Sequence, residues 1–338
     1  MKHPLIFIEI GRPVPKYLVR NIEYTQSKFG RIPIILVYDN LNKRLEKRLI
    51  EKNSSLFHIR DLNRGEFTEK FTSSTKVWSY NQTSFWQNTT ARFFYLNDVM
   101  QTLKLTSAIH IESDVILLSK RALDLDDETK HAGLAYPMQN YLQGCASIFK
   151  VGRKFALEHF LDYILNNWQR ENINDMDLLG EFSHSELVYT LPTWPRKSIS
   201  NEKIFFDAGS IGKYYLGSDS RNHRMPFSHR GIMDMNSGSF FSEFNSSKLD
   251  WRVINSNLWS IQLLIGDVGY EIVNLHLHSK RIPRKESELI EMIQRGFSSQ
   301  ESWHWKLGHF DSTVFAERFI SFFWRRLAGK RIHEKVMR

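Results

Sequence analysis

Two acids one residue apart, Glu112 and Asp114, interrupt an apolar run in His110-Ile-Glu-Ser-Asp-Val-Ile-Leu-Leu118. Burying carboxylates among such neighbours costs on the order of several kcal/mol unless donors or a cation compensate. A hard divalent ion, Mg²⁺ or Mn²⁺, supplies that compensation, binding one or two carboxylates together with phosphate oxygens. The plainer alternative is a strand that ends in two solvated acids. A second constellation lies late in the chain, in Asn274-Leu-His-Leu-His-Ser-Lys280. Strand alternation puts His276 and His278 on one face, joined by Lys280 if the strand continues that far. Imidazole suits Mn²⁺ less well than carboxylate but is an accepted ligand, and either histidine can serve. A third segment, Phe205-Phe-Asp-Ala-Gly-Ser-Ile-Gly-Lys-Tyr-Tyr-Leu-Gly-Ser-Asp-Ser-Arg-Asn222, carries Asp207 and Asp219 among Gly209, Gly212 and Gly217. Such glycines permit tight turns and close backbone approach.

The elements that must position these residues follow an alternating pattern. Leu5 to Ile10 reads as a strand, and Leu18, Ile22, Thr25 and Phe29 recur at helical spacing after Pro15. Ile34 to Tyr38 is a second strand ending at Asp39; a polar helix over 42–51 and a short strand over 56–59 follow. A strong helix with Phe93, Leu96, Met100 and Leu103 on one face leads into the strand Ser107 to Ile111, which runs into Glu112-Ser-Asp114. This order implies an α/β fold with a mainly parallel sheet and helices on both faces. Ligands bind such sheets at the carboxyl ends of strands, where Gly11, Asp39, Glu112 and Asp114 all fall. Further on, Cys145 to Val151 reads as a strand and Lys154 to Trp168 as a helix with Leu157, Phe160, Leu161 and Ile164 inward. Residues 201–280 read as Gly- and Asn-rich with short strands.

The acidic pair resembles the DxD signature of GT-A (Rossmann-like) glycosyltransferases, here as an E-x-D variant. The Asp207 and His276 segments resemble late motifs of nucleotide-sugar-dependent members of that class, with Ala208, Tyr215 and Ser218 as departures. The resemblance spans roughly residues 4–282. It implies a transferase that moves a sugar from a UDP- or GDP-sugar donor to a glycan or lipid-linked acceptor, with Mn²⁺ or Mg²⁺ as cofactor. It further implies metal ligation by Glu112, Asp114 and His276 or His278, and diphosphate contacts from Lys280. By the same likeness Arg92, at the start of the helix before the acidic strand, faces the nucleotide. Gly11 and Arg12 lie in the base-receiving loop, Asp39 contacts base or ribose, and Gly144 lines the sugar pocket.

An inverting reaction needs a carboxylate within hydrogen-bond reach of the acceptor hydroxyl; a retaining one does not. Asp175, Asp177, Glu181, Glu186 and Asp207 are the candidates, with Asp207 and Glu181 taken as the catalytic pair. The composition, 41% hydrophobic and 25% charged over 338 residues, leaves ample core and does not indicate disorder. The single cysteine cannot form an internal disulfide, and with no signal or spanning segment in view a cytoplasmic protein is expected. Residues 1–285 read as the transferase domain and 286–338 as a helical extension. Its aromatics Phe319, Phe322, Phe323 and Trp324 and cations Arg325, Arg326, Lys330 and Arg331 suit peripheral contact with the inner face of a membrane. The net charge of +9 draws the chain toward phosphates of any kind. Its basic residues are scattered rather than grouped in a groove, which speaks against nucleic acid as a partner. A sugar-phosphate nucleotidyltransferase shares the topology, but Gly11-Arg-Pro-Val-Pro15 is too proline-rich for that class's phosphate loop.

Overall fold

The structure, a computed structural model, describes residues 3–52, 54–74, 83–140, 142–171, 173–193, 203–209, 211–212, 249–254, 260–265, 268–278 and 280–292. The tail beyond 311 and the segment 213–222 lie outside the described residues. In chain order the elements are β1 (Leu5–Glu9), α1 (Lys16–Phe29), β2 (Ile34–Tyr38), α2 (Lys43–Glu51), β3 (Ser54–His58), α3 (Glu66–Ser73), α4 (Thr83–Thr102), β4 (Ala108–Ile111) and β5 (Val115–Leu117). There follow α5 (Asp126–Thr129), β6 (Leu134–Pro137), β7 (Ile148–Val151), α6 (Lys154–Asn167), α7 (Asp175–Phe182) and β8 (Val188–Leu191). The last strands are β9 (Ile204–Phe205), β10 (Leu249–Ile254), β11 (Ser260–Ile265), β12 (Val268–Ile272) and β13 (Asn274–His276).

Among the described residues the central sheet has seven strands in the order β3-β2-β1-β4-β7-β6-β8. The first four are parallel; β7 runs antiparallel to both β4 and β6, and β8 is parallel to β6. Period-two burial explains why helices cover both faces. Ile6, Ile35 and Val37 enter one core with residues of α4, α6 and α7, whereas Leu5, Phe7, Ile34 and Leu36 enter the other with residues of α1 and α2. The fold is thus α/β with a mixed, mainly parallel sheet. A second sheet, β10-β11-β12-β9, and a small pair, β13-β5, complete the described strands.

Local chemistry sets the element ends. Asn42 caps α2 by accepting the Arg44 N–H at 2.8 Å, and Gly30 ends α1 at φ 76°. Asn174 and Asp177 form a reciprocal capping box at the start of α7. Asp177 also accepts from Gln143 at 2.8 Å, so this candidate base holds a helix end and a loop together. Helix α4 begins at Thr83, so Arg92, expected from sequence at the helix start, sits well inside it. Beyond residue 285 the chain stays in contact with the domain, since Leu289 is fully buried and Glu286 pairs with Lys28. No helix among the described residues is long and apolar enough to cross a membrane.

Phe93 anchors α4 between Phe149 and Phe160, with ring centroids at 5.1 and 5.2 Å. It is fully buried and adjoins Arg92 in sequence. Phe93→Ala should lower the unfolding free energy by about 3–5 kcal/mol in urea titration. A loss under about 1 kcal/mol would show that α4 is not seated as described.

Candidate active site

The site grows from a turn. β4 ends at Ile111, the Val115 N–H closes back on the Glu112 carbonyl at 3.1 Å, and β5 departs antiparallel to β13. This places His276 opposite Val115, while the Leu277 N–H donates to the Asp114 carbonyl at 2.7 Å. Asn21, buried on α1, donates to the Ser113 and Val115 carbonyls at 3.1 and 2.6 Å and fixes the turn from below.

The acids converge with three cations. His276 Nε2 stands 3.4 Å from both Glu112 Oε2 and Asp114 Oδ2. Lys280 Nζ bonds Asp114 Oδ2. Arg92 divides its guanidinium, one arm on Glu112 and the other on Asp175 at 2.6 Å. His278 stacks on His276 with centroids 4.2 Å apart and planes at 21°. The expected alternation along a continuing strand is not what groups these residues. β13 stops at His276, and Lys280 arrives by a turn, its N–H on the Leu277 carbonyl at 2.8 Å and its φ at 58°.

Next to this cluster lies a second charged group. Arg12 pairs with the buried Glu9 and donates to Tyr17 Oη at 2.7 Å. Tyr17 receives Ser113 Oγ at 3.4 Å, and its ring lies 5.9 Å from the Arg12 guanidinium and 5.8 Å from Lys280 Nζ. The Gly11 N–H donates to Asp39 Oδ2 at 2.6 Å. Gly11 has φ 76°, a left-handed conformation that favours glycine, and the Asn88 side chain packs against it. The loop after β1, the end of β2 and the acidic turn therefore adjoin.

Protonation follows burial and pairing. Burial opposes the charge on His276, but Cys145 and Glu112 outweigh it and raise the imidazole to about 9. Burial lowers the Lys280 ammonium to about 8, against the pull of Glu112. For Glu112, burial pushes up while Arg92 and His276 pull harder, leaving its pKa below the ordinary carboxylate range. Burial dominates at Asp175 and raises it despite Arg92. His110 inside β4 is driven down to about 3 by burial and stays neutral, with Nδ1 on the Ile6 carbonyl at 3.0 Å.

Several expected roles change. Arg92, expected at a helix start facing the nucleotide, lies inside α4 with both terminal arms engaged by carboxylates, as a counter-ion of the acids. Asp207 does not present a lone pair to an acceptor. Its buried carboxylate accepts the N–H groups of Gly209 (2.9 Å), Ile211 (3.0 Å), Gly212 (2.8 Å) and His276 (3.0 Å), filling the roughly four acceptor positions a carboxylate has. It is a scaffold that holds the His276 backbone. Glu181 accepts from Tyr163 Oη and Arg170 on the half-open flank of α7, and no contact joins it to the acidic cluster. Gly144 packs on α7, with its N–H on the Met176 carbonyl at 2.9 Å and no room for a Cβ beside Leu179.

Sequence reasoning missed Asn21, Tyr17, Glu9 and the part played by Cys145. A lone Asn at a core position of an apolar helix face was the available signal for Asn21, because a buried amide must find backbone partners.

No protein-family model matches the chain. No curated protein matches it either. Solved structures of similar trace include mouse xyloside xylosyltransferase 1 in apo form, 12% identical over 57% of this chain and 86% of that one, with TM-score 0.38. Galactosyltransferase LgtC with donor and acceptor sugar analogues is 12% identical over 66% of this chain and 80% of that one, TM-score 0.41. A cytidylyltransferase from Leptospira borgpetersenii is 14% identical over 52% and 78%, TM-score 0.30. Likeness at this level leaves the side chains to decide function.

Two outcomes test the geometry. Asp207→Asn should destabilise the protein by roughly 1–3 kcal/mol for each N–H left without an acceptor, read by thermal unfolding. Unchanged stability with lost turnover would restore it as a base. In the ion-free protein His276 should titrate near pH 9 by NMR rather than at its ordinary 6.5. A raised folded pKa means that its pairing contributes fully below about pH 6.5 and fades as pH rises through about 9. A midpoint at 6.5 would contradict the pairing.

Proposed function

We propose that the chain is a metal-dependent GT-A glycosyltransferase that moves a sugar from a nucleoside-diphosphate sugar to a glycan or lipid-linked acceptor. The observation that supports this most is the single cluster formed by Glu112, Asp114, His276 and Lys280 at the carboxyl end of β4. The donor set suits a divalent cation. Two carboxylate oxygens each 3.4 Å from one imidazole nitrogen are near the separation that ligands have around an ion bound at about 2.0–2.2 Å.

Glu112, Asp114 and His276 would hold the ion, with His278 stacked behind. When bound, Mn²⁺ or Mg²⁺ neutralises charge on the leaving nucleoside diphosphate. Lys280, now on Asp114, is the ammonium positioned to meet a diphosphate oxygen. Arg92 keeps Glu112 ionised and oriented rather than touching the donor. Gly11, Arg12 and Asp39 form the edge where base and ribose would lie, with the Tyr17 ring between Arg12 and Lys280. Gly144, backed by α7, fits a wall of the sugar pocket. With Asp207 committed to backbone donors, this cluster offers cation and positive charge at the leaving group rather than a free base, which suits a mechanism driven by leaving-group stabilisation.

A cytoplasmic location and membrane contact through the C-terminal tail are further parts of this proposal. The location rests on a sequence with a single cysteine, and the membrane contact on the tail's aromatic and basic residues, Phe319, Phe322, Phe323, Trp324, Arg325 and Arg326. The test is turnover of UDP- and GDP-sugars by the full chain. Asp114→Ala should abolish sugar release, more than about 10²-fold, as removal of a group that stabilises transition-state charge does, and EDTA should do the same to the native protein. Undiminished turnover in either case contradicts the proposal. Pyrophosphate release from a nucleoside triphosphate with a sugar phosphate would point to a nucleotidyltransferase instead.

A further inference from the structure

The acidic cluster also contains a sulfur. Cys145 is buried just ahead of β7, with its N–H on the Pro137 carbonyl at 2.9 Å. β7 pairs antiparallel with β4, and the Glu112 N–H reaches the Ser147 carbonyl at 3.4 Å, so the two chains carry Cys145 alongside the acidic turn. Its Sγ lies 3.9 Å from His276 Nδ1. One carboxylate oxygen of Glu112, one ring nitrogen of His276 and Cys145 Sγ all fall within 4.8 Å of one another.

The remaining bonds of these groups direct them inward. Glu112 gives one oxygen to Arg92 and turns the other toward His276. Asp114 gives one oxygen to Lys280 in the same way. The backbone of His276 is held by Asp207, so the ring is carried on a fixed strand end. An inert buried cysteine packs as a small hydrophobe, whereas this one faces an imidazole and a carboxylate. Carboxylate, imidazole and thiolate together are the donor types of a borderline-soft divalent ion such as Zn²⁺. Mg²⁺ gains nothing from a thiolate, while Zn²⁺ and Co²⁺ do.

We infer that Cys145 is a metal ligand together with Glu112 and His276, and that the site selects a thiophilic divalent ion of the Zn²⁺ or Co²⁺ class. This rests on the metal-dependent reading above and changes its third ligand, with Cys145 in the place given there to Asp114, which stays with Lys280. Three protein ligands leave one position for a phosphate oxygen, the arrangement of a working rather than a structural site. On binding, the thiol loses its proton to solvent and a metal–sulfur bond forms, with no change in oxidation state.

The test is a Co²⁺ titration of the full-length, metal-free protein followed by absorbance. Because the chain has a single cysteine, a thiolate-to-cobalt charge-transfer band in the near ultraviolet can come only from Cys145. The expected result is that band, saturating at one ion per chain, with Zn²⁺ displacing it and Mg²⁺ not. Cys145→Ser should lose the band, keep the visible d–d bands and bind Co²⁺ about tenfold or more weakly. Should that variant fail to fold, the presence or absence of the band in the native protein decides alone. Visible d–d bands without charge transfer in the native protein overturn the sulfur ligand and leave the cation site standing. No binding of Co²⁺, Zn²⁺ or Mn²⁺ by calorimetry overturns both.

Discussion

Negative charge taken out of water at the end of β4 is the constraint that organises this molecule. Glu112 and Asp114 follow a strand whose four residues are all buried, and neither acid is well exposed. Desolvating such groups costs several kcal/mol apiece on an order-of-magnitude scale, and removing one partner from a buried pair costs about 3–5 kcal/mol. Arg92, His276 and Lys280 answer that cost from three separate parts of the chain. Those contacts span sequence separations of 20 to 166 residues, so the cluster also ties the early and late halves together. With Asp175 on the second arm of Arg92, three cations stand among three acids.

The parallel strands explain why this happens where it does. β1, β2 and β4 deliver Gly11, Asp39 and Glu112 to the same edge because each runs in the same direction. Antiparallel β5–β13 then folds the late histidine back over the acidic turn. Asn21 below and Asp207 behind hold the two backbones that meet there, and neither side chain is spent on chemistry. Rigid backbone on both sides is what lets a cluster of opposed charges keep one geometry.

The strands β1 and β2, the helices α1, α2 and α6 and the acidic turn were legible because periodic burial, caps and turn residues agree there. Ile34–Tyr38 is a case where pattern and structure coincide residue for residue. The site was legible only in part. The family resemblance implied that Glu112, Asp114, His276 and Lys280 belong together, but the turn that brings Lys280 back needs a left-handed residue that no pattern announces. Arg92 looked free because its two carboxylate partners lie 20 and 83 residues away. Asp207 looked like a base because a carboxylate saturated by backbone N–H groups and a carboxylate ready for chemistry are the same letter. Cys145 carried no signal beyond its solitude, and its place beside His276 comes from contacts 131 residues apart in sequence.

Metal-dependent recognition of a nucleoside diphosphate is the central claim, and ligand-dependent thermal stability of the full chain measures it most directly. With UDP, GDP and other nucleoside diphosphates, each tested with and without a divalent cation, one nucleotide should raise the melting temperature only when the ion is present. At a ligand concentration of 100 times Kd that linkage is worth about 2.7 kcal/mol. Stabilisation that is equal in EDTA, or absent for every nucleotide in the presence of Mn²⁺ and Zn²⁺, would contradict the account.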